Sequence, residues 1–226
     1  VIPTLNEAAN LPHVFAALPE GLFEVIVVDG RSVDDTVAVA RLLDPDVRIV
    51  LEPAPGKGAA LAAGFAAAHG DIIVMLDADG SADPLEIPLF VEALVAGADF
   101  AKGSRFVTGG GSSDITRFRR LGNKGLNLTV NALFGTRYTD LCYGYNAFWR
   151  CCLADMRVDC AGFEIETLIN IRIARAGLRV VEVGSFERDR IHGDSNLRPV
   201  RDGLRVMRTI LRERFARREL APVGVA

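Results

Sequence analysis

The chain has 226 residues, half of them hydrophobic and 24% charged, with a formal net charge of −3. That length suits one ordinary domain able to bury a full core, and the composition excludes a disordered scaffold, a coiled coil and a collagen-like fibre. The charge supplies no basic excess for nucleic acid, so no nucleic-acid partner is expected.

The four cysteines, Cys142, Cys151, Cys152 and Cys160, form no CxxC pair, and the adjacent Cys151-Cys152 make a poor disulfide framework. A reduced, cytoplasmic setting is expected. The most apolar run, Ala59 to Ala68, is too short to cross a bilayer and ends at His69-Gly70-Asp71. No basic stretch followed by an apolar one marks a signal peptide. Val1-Ile2-Pro3 reads as the inside of a strand, so a few residues are expected upstream and an anchor there stays open.

Val1-Ile2 leads into a loop and a helix from about Glu7 to Leu18. Glu24 to Val28 reads as a buried strand closed by Asp29-Gly30, followed by a helix from about Val33 to Leu43 and a strand from Val47 to Leu51. Gly56-Lys57-Gly58 opens an Ala-rich helix, and Asp71 to Leu76 is a strand stopping at Asp77. Continuous apolar strands separated by helices predict an α/β fold with a mostly parallel sheet, helices on both faces. In such sheets ligands sit at the carboxyl ends of strands. The polar clusters Thr4-Asn6-Glu7, Asp29-Gly30-Arg31 and Asp77-Ala78-Asp79 all fall at such ends.

In the second half, Asp99 to Lys102 reads as a strand from which Gly103-Ser104-Arg105-Phe106 turns away, and Gly109 to Ser113 as a lid-like loop. Arg119 to Phe134 predicts a helix, Glu164 to Ala176 another with Gly177 as its C-cap, Val180 to Val183 a strand, and about Val200 to Arg218 a last helix. No repeat and no Pro- or Ser-rich linker divides the chain, so residues 1–226 read as one domain.

Asp77-Ala78-Asp79-Gly80, directly after Ile72-Ile73-Val74-Met75-Leu76, carries the sharpest chemical signal. Alternate carboxylates at a strand end, with a glycine to turn the chain, can aim oxygens at one point. Mg²⁺ or Mn²⁺ takes such oxygens together with water and ligand phosphates, and would neutralise a departing diphosphate. The plain alternative is an acidic turn that caps the next helix.

Pro3-Thr4-Leu5-Asn6-Glu7-Ala8, Val27-Val28-Asp29-Gly30-Arg31-Ser32-Val33-Asp34-Asp35-Thr36, Gly56-Lys57-Gly58 and Asp77-Ala78-Asp79-Gly80-Ser81 together resemble the ordered motifs of family 2 glycosyltransferases with the GT-A fold. Within that family the chain is most similar to the branch of dolichyl- and polyprenyl-phosphate sugar transferases. Gly103-Ser104-Arg105-Phe106, Thr139-Asp140 with Gly144-Tyr145, and Gly162-Phe163-Glu164-Ile165-Glu166 extend the likeness. It covers roughly residues 1–197, a core beyond which lies the basic helix over 198–218.

The resemblance implies a nucleotide diphosphate sugar as donor, of GDP-mannose or UDP-glucose type, and inversion at the anomeric carbon. It implies that Pro3, Thr4, Glu7 and Asp29 line the base and ribose pocket, with Asp77 and Ala78 near the ribose. Asp77 and Asp79 would be the metal carboxylates, Asp79 holding the ion on the diphosphate. Lys57 either helps this pocket or is a solvated helix-start lysine. The second motif here runs Asp29-Gly30-Arg31-Ser32, leaving one carboxylate where the family commonly has two.

For the acceptor, the resemblance points to a polyprenyl phosphate gripped by arginines. Arg117, Arg119, Arg120 and Lys124 cluster beyond the Gly-rich loop, and Arg188-Asp189-Arg190-Ile191-His192-Gly193-Asp194-Ser195 forms a second basic stretch. A guanidinium fork matches phosphate oxygens, and Arg117, Arg120 and Arg190 are the chosen candidates. A solvated or ion-paired role for each is the alternative.

A phosphate monoester is largely dianionic at neutral pH and attacks without a base, whereas a hydroxyl acceptor needs a positioned carboxylate. Asp140, Glu164 and Glu166 are the base candidates for a hydroxyl acceptor such as a cell-envelope glycan or small metabolite. Asp140 could equally orient an arginine. In the last helix Arg198, Arg201, Arg205, Arg208 and Arg212 share a face, beside Leu204, Met207, Ile210 and Leu211. Such a helix either lies on the cytoplasmic face of an anionic membrane or packs by its apolar side with arginines in solvent. A nucleotide-sugar pyrophosphorylase would need a Gly-rich phosphate loop after the first strand, which Thr4-Leu5-Asn6-Glu7-Ala8-Ala9 is not. A non-catalytic nucleotide-binding protein is opposed by the intact Asp77/Asp79 pair.

Overall fold

A computed structural model describes residues 1–193 and 197–216. The first half alternates β1 (Ile2–Thr4), α1 (Leu11–Ala16), β2 (Ile26–Asp29), α2 (Thr36–Leu43), β3 (Arg48–Leu51), α3 (Lys57–Ala67) and β4 (Ile72–Met75). β1, β2 and β3 pair in parallel, with Val27 beside both Ile2 and Ile49. β4 adjoins β1 through the Val1 nitrogen, which donates to the Val74 carbonyl at 2.7 Å, and the Leu76 N–H, which donates to the Val1 carbonyl at 3.1 Å. Successive β2 residues feed opposite cores. Val27 packs with Leu11, Val14 and Phe90, whereas Ile26 and Val28 pack with Leu61, Phe65 and Ile169. Burial on both faces is why these strands are apolar without alternation.

The second half contains α4 (Ile87–Val95), β5 (Phe100–Ser104), β6 (Gly111–Ser112), α5 (Arg117–Phe134), β7 (Asn146–Trp149), α6 (Leu153–Met156), α7 (Ile165–Ala176), β8 (Val180–Gly184), β9 (Phe186–Glu187) and α8 (Pro199–Phe215). β7 runs antiparallel between β4 and β5, and β8 is parallel to β5. The sheet is therefore mixed in its second half, and the sequence reading had no strand at β7 and no helix at α4. Gly103 and Ser104 continue β5 opposite Val183 and Gly184 instead of turning away. The Gly109–Ser113 segment is no free lid either. Gly111 pairs with Phe186, and the Ser113 N–H donates to the Glu187 carbonyl at 2.9 Å.

Helix starts also shift. α1 begins at Leu11 with Pro12 in its first turn, where a missing N–H costs nothing. α2 begins only at Thr36, because the Asp34 carboxylate accepts the N–H groups of Thr36 and Ala8, both at 3.1 Å. α7 ends as expected at Gly177, whose φ of 76° suits a glycine C-cap. α8 packs inward through Val206 and Ile210 against Val130 of α5 and Ile171 of α7. Its outer face exposes Val200, Leu204, Leu211 and Phe215 with Arg201 and Arg208. Arg212 is instead turned to Asp159 at 3.3 Å. Arg217 and Arg218, at the expected end of this helix, lie outside the described residues.

Candidate active site

The carboxyl ends of β1 and β4 open into a cavity of about 790 Å³. Pro3, Thr4, Glu7, Gly30, Lys57, Asp77, Ala78 and Asp79 line one side, and Arg105, Arg119, Asn123, Glu166, Glu187 and Arg190 line the other. Asp29 sits behind Gly30 at the end of β2. Its Oδ2 accepts the N–H groups of Arg31 and Ser32, both at 3.1 Å, while its buried Oδ1 has no partner among the described residues. A buried oxygen without a donor is costly, and Asp29, expected at the base and ribose pocket, is buried and off the cavity wall.

Lys57 is placed by glycines. A Cβ on Gly56 would fall 2.0 Å from the Ala161 carbonyl oxygen, and one on Gly58 2.3 Å from that of Cys160. Their absence lets the loop before α7 lie directly on the start of α3. The Lys57 ammonium then meets Asp77 Oδ1 at 2.6 Å and Glu166 Oε1 at 2.7 Å. Burial alone would lower its pKa, but Asp77 and Glu166 hold it above the ordinary lysine value. Burial pushes the Glu166 carboxyl up, against the pull of Lys57. Gly144 leaves room for this triad, since a Cβ there would lie 2.8 Å from both Asp77 Oδ2 and Lys57 Nζ.

The far wall is built on Arg105, which follows β5. Its Nε and Nη2 donate to Asp140 Oδ2 at 2.6 Å and Oδ1 at 2.9 Å, and its Nη1 donates to both Glu187 oxygens at 3.0 Å. Asn123 Nδ2 donates to Asp140 Oδ1 at 2.8 Å, and the guanidinium stacks over Tyr143 at 4.9 Å. Burial would raise the Asp140 carboxyl, but Arg105 outweighs it and holds it below the usual carboxylate range. Asp140 is fully buried behind Arg105 and away from the cavity wall. Expected in the catalytic set, Asp140 instead spends both oxygens on Arg105 and Asn123, a geometry that suits a positioning residue.

Arg190 spans the two halves. Its Nη2 lies 3.0 Å from Asp79 Oδ2 and its Nη1 3.1 Å from Glu7 Oε1. Asp194 and Ser195 of the same basic stretch lie outside the described residues. Arg117 and Arg120, chosen from charge, are exposed and off the cavity wall, and Arg120 stacks on Phe106 at 5.6 Å. Arg119, one turn-phase away, lines the cavity with its Nη1 2.6 Å from Asp114 Oδ2. Glu164 is also off the cavity wall, and Glu166 is committed to Lys57. Arg105, Arg119, Asn123 and Glu187 line the cavity without having been among the chosen candidates, though Arg119 belonged to the basic cluster. The Gly103-Ser104-Arg105-Phe106 motif could have flagged the first.

Among the described residues no three His, Cys, Asp or Glu side chains gather into a self-sufficient metal cage. The wall does carry eight carboxylates against four Lys and Arg side chains, a formal negative excess that favours a cation. Asp79 contributes one oxygen not already holding a backbone N–H, since its Oδ1 accepts from Ser81 at 3.0 Å. This set fits Mg²⁺ or Mn²⁺ bound through one or two carboxylates with the rest of its shell from water and donor phosphates.

The fold is that of the GT-A glycosyltransferases among the solved structures it resembles. Residues 1–155 match the family described as "Glycosyl transferase family 2". The chain belongs to glycosyltransferase family 2. It is 32% identical to Glycosyltransferase AglJ of Haloferax volcanii over 89% of this chain and 66% of that protein. It is 36% identical to the polyprenol monophosphomannose synthase of Mycolicibacterium smegmatis over 81% of this chain and 74% of the other. The chain spans 47% to 66% of the length of the first curated relatives that it matches. Among solved structures it resembles glucosyl-3-phosphoglycerate synthase of Mycobacterium tuberculosis in complex with Mn²⁺, uridine diphosphate and glucosyl-3-phosphoglycerate. The TM-score is 0.74 at 26% identity, covering 94% of this chain and 77% of that one.

Proposed function

We propose that the protein transfers a sugar, with inversion, from a nucleotide diphosphate sugar to a polyprenyl phosphate. The observation that carries this reading is that Arg105, Arg119 and Arg190 line the same cavity as Asp77 and Asp79. Guanidinium forks facing a carboxylate pair suit a phosphate acceptor brought against a metal-bound diphosphate donor. Asp29 and Thr4 flank the base and ribose end, while Lys57, held by Asp77 and Glu166, orders the pocket floor. A divalent cation on Asp79 would supply charge neutralisation of the departing diphosphate.

A phosphate oxygen attacks the anomeric carbon as the bond to the diphosphate breaks, so the chain need only orient the two groups and exclude water. That agrees with the state of the base candidates. Asp140 is locked on Arg105 and Glu166 on Lys57. A second reading, a soluble phosphorylated hydroxyl acceptor, is favoured by the likeness to a synthase solved with glucosyl-3-phosphoglycerate.

A lipid acceptor also calls for a surface to meet it. α5 contains no acidic residue, the two acids of α8, Asp202 and Glu213, are both buried, and no described helix is long and apolar enough to cross a membrane. Phe118 lines the cavity, Leu121, Val200 and Leu204 are exposed on the same two helices, and Arg120, Lys124, Arg201 and Arg208 are exposed there too. We assign this face to the cytoplasmic leaflet of an anionic membrane, and the chain to one domain working there.

The test is a donor screen with Mn²⁺ or Mg²⁺, recording released nucleoside diphosphate with and without a short-chain polyprenyl phosphate. Lipid-dependent release from one donor is expected. Release driven equally well by 3-phosphoglycerate, and not by the lipid, would replace this acceptor with the second reading.

A further inference from the structure

Arg190 bridges two carboxylates of the cavity wall, Glu7 and Asp79. Arg190 sits among acceptor-side arginines by sequence, yet both of its terminal nitrogens are spent on the donor side, on Glu7 and Asp79. Asp79 Oδ1 accepts the Ser81 N–H, and Oδ2, the oxygen free of backbone donors, is the one that Arg190 meets. A divalent cation placed there would lie within a few ångströms of the guanidinium, and like charges at that distance repel in a partly desolvated site.

The backbone carrying Arg190 is pinned on both sides. The Arg188 N–H donates to the Ser81 carbonyl at 2.7 Å and the Ile191 N–H to the Asp79 carbonyl at 3.2 Å. Beyond it, His192 donates its N–H to Asn10 Oδ1 at 2.9 Å and accepts from Asn10 Nδ2 at 3.1 Å. Asn10 Nδ2 also reaches Glu7 Oε2 at 2.5 Å, so one buried amide orients both the strap and the carboxylate that Arg190 holds. The side chain of Arg190 can exchange partners while its Cα stays where it is.

We propose that Arg190 is the resident counter-cation of the donor site: it neutralises Glu7 and Asp79 in the absence of donor, yields Asp79 to the divalent cation arriving with the nucleotide sugar, and is thereby released toward the acceptor's phosphate. Asn10 is the positioning residue that holds the strap during the exchange. The inference rests on the metal-dependent transferase reading above.

Mn²⁺ binding to the donor-free full chain, followed by the paramagnetic resonance of free Mn²⁺, separates the two. Arg190→Gln should bind Mn²⁺ roughly tenfold tighter than the unaltered protein, a typical coupling between sites, and Asp79→Ala should lose the binding. Equal or weaker binding by Arg190→Gln, with binding still lost in Asp79→Ala, overturns the counter-cation alone. Binding unaffected by Asp79→Ala overturns the metal reading and the counter-cation with it. Should Arg190→Gln fail to melt cooperatively, Arg190→Lys carries the test. It keeps a cation but lacks the fork that spans both carboxylates, so several-fold tighter Mn²⁺ binding is expected, and equal or weaker binding again overturns the proposal.

Discussion

The two walls of the cavity use the same chemistry, cations paired with carboxylates, in two different ways. On the acceptor side Arg105, Asp140 and Glu187 form a network whose side chains are 4%, 0% and 10% exposed. On the donor side Asp77 is 36% exposed and Arg190 21%. A buried pair is expensive to break because the partner left behind keeps its charge without solvent. The carboxylates that the two arginines meet are similarly covered, but Arg190 keeps more solvent than Arg105, 21% against 4%, so its pairs are screened further and exchanged for a ligand at lower cost. On the proposed reading, the buried network holds a guanidinium in place and the more accessible pairs keep carboxylates ready for a cation.

That contrast is broken most directly by removing one carboxylate from each wall. Asp140→Ala leaves Arg105 buried with Glu187 alone and should cost about 3–5 kcal/mol of unfolding free energy. Asp77→Asn, whose side chain is 36% exposed and whose partner Lys57 keeps Glu166, should cost less. Urea unfolding of both variants checks the difference, and equal losses would remove the distinction between the walls. Next in size is Asp79→Ala, which should lower metal-dependent transfer by roughly 10²- to 10³-fold, the scale of losing one group that stabilises charge developing in the transition state. Its melting temperature should stay near that of the unaltered protein, since Arg190 retains Glu7. Retained metal-dependent turnover in a folded variant would remove Asp79 from the metal.

The acid limb of stability sharpens the same comparison. Arg105 holds the Asp140 carboxyl below the usual range, so the unfolded chain takes up a proton at this group before the folded one does. Its stabilisation is fully present above the unfolded carboxylate value, about 3.9, and is lost as pH falls through the lower folded value. Asp140→Asn should therefore lose stability less steeply than the unaltered protein below about pH 4. Glu166 runs the other way. Burial raises its folded pKa, so Glu166 costs stability once ionised, and Glu166→Gln should flatten any gain seen as pH falls toward that raised value. Thermal melts across pH 3 to 7 distinguish the two signs.

The donor wall was legible because each of its parts is local. A buried strand that ends in a polar cluster identifies itself within a few residues, and β1, β2 and β4 each do so. The acceptor wall is not local. Arg105 meets Asp140 at a separation of 35 residues and Glu187 at 82, and no pattern near any one of them encodes the meeting. β7 was missed for a related reason: Asn146-Ala147-Phe148-Trp149 is short, buried and sandwiched between strands far away in sequence. The arginines of α5 are a question of helical phase. Charge alone selects Arg117 and Arg120, yet Asn123, Asn127 and Val130 are the buried positions, and Arg119 with Gly122 and Leu126 borders that stripe on the cavity side. Reading the apolar and amide phase first would have chosen Arg119.

The same phase argument gives the smallest of the expected effects. Arg120 and Lys124 are exposed, one turn apart on the face of α5 that carries Leu121 and Leu128, and neither lines the cavity. If their role is to meet an anionic surface, each contributes through long-range attraction alone. Replacing either by alanine should weaken binding to phosphatidylglycerol vesicles by roughly fivefold, the scale of about 1 kcal/mol per cation near such a surface. Binding to phosphatidylcholine vesicles should barely change, and transfer to a short, water-soluble polyprenyl phosphate should be unaffected. Arg119→Ala should do the reverse, sparing vesicle binding and weakening transfer to the same acceptor. Vesicle co-sedimentation beside the transfer assay would separate the pair, and a loss of transfer in Arg120→Ala equal to that in Arg119→Ala would return the exposed face of α5 to the site itself.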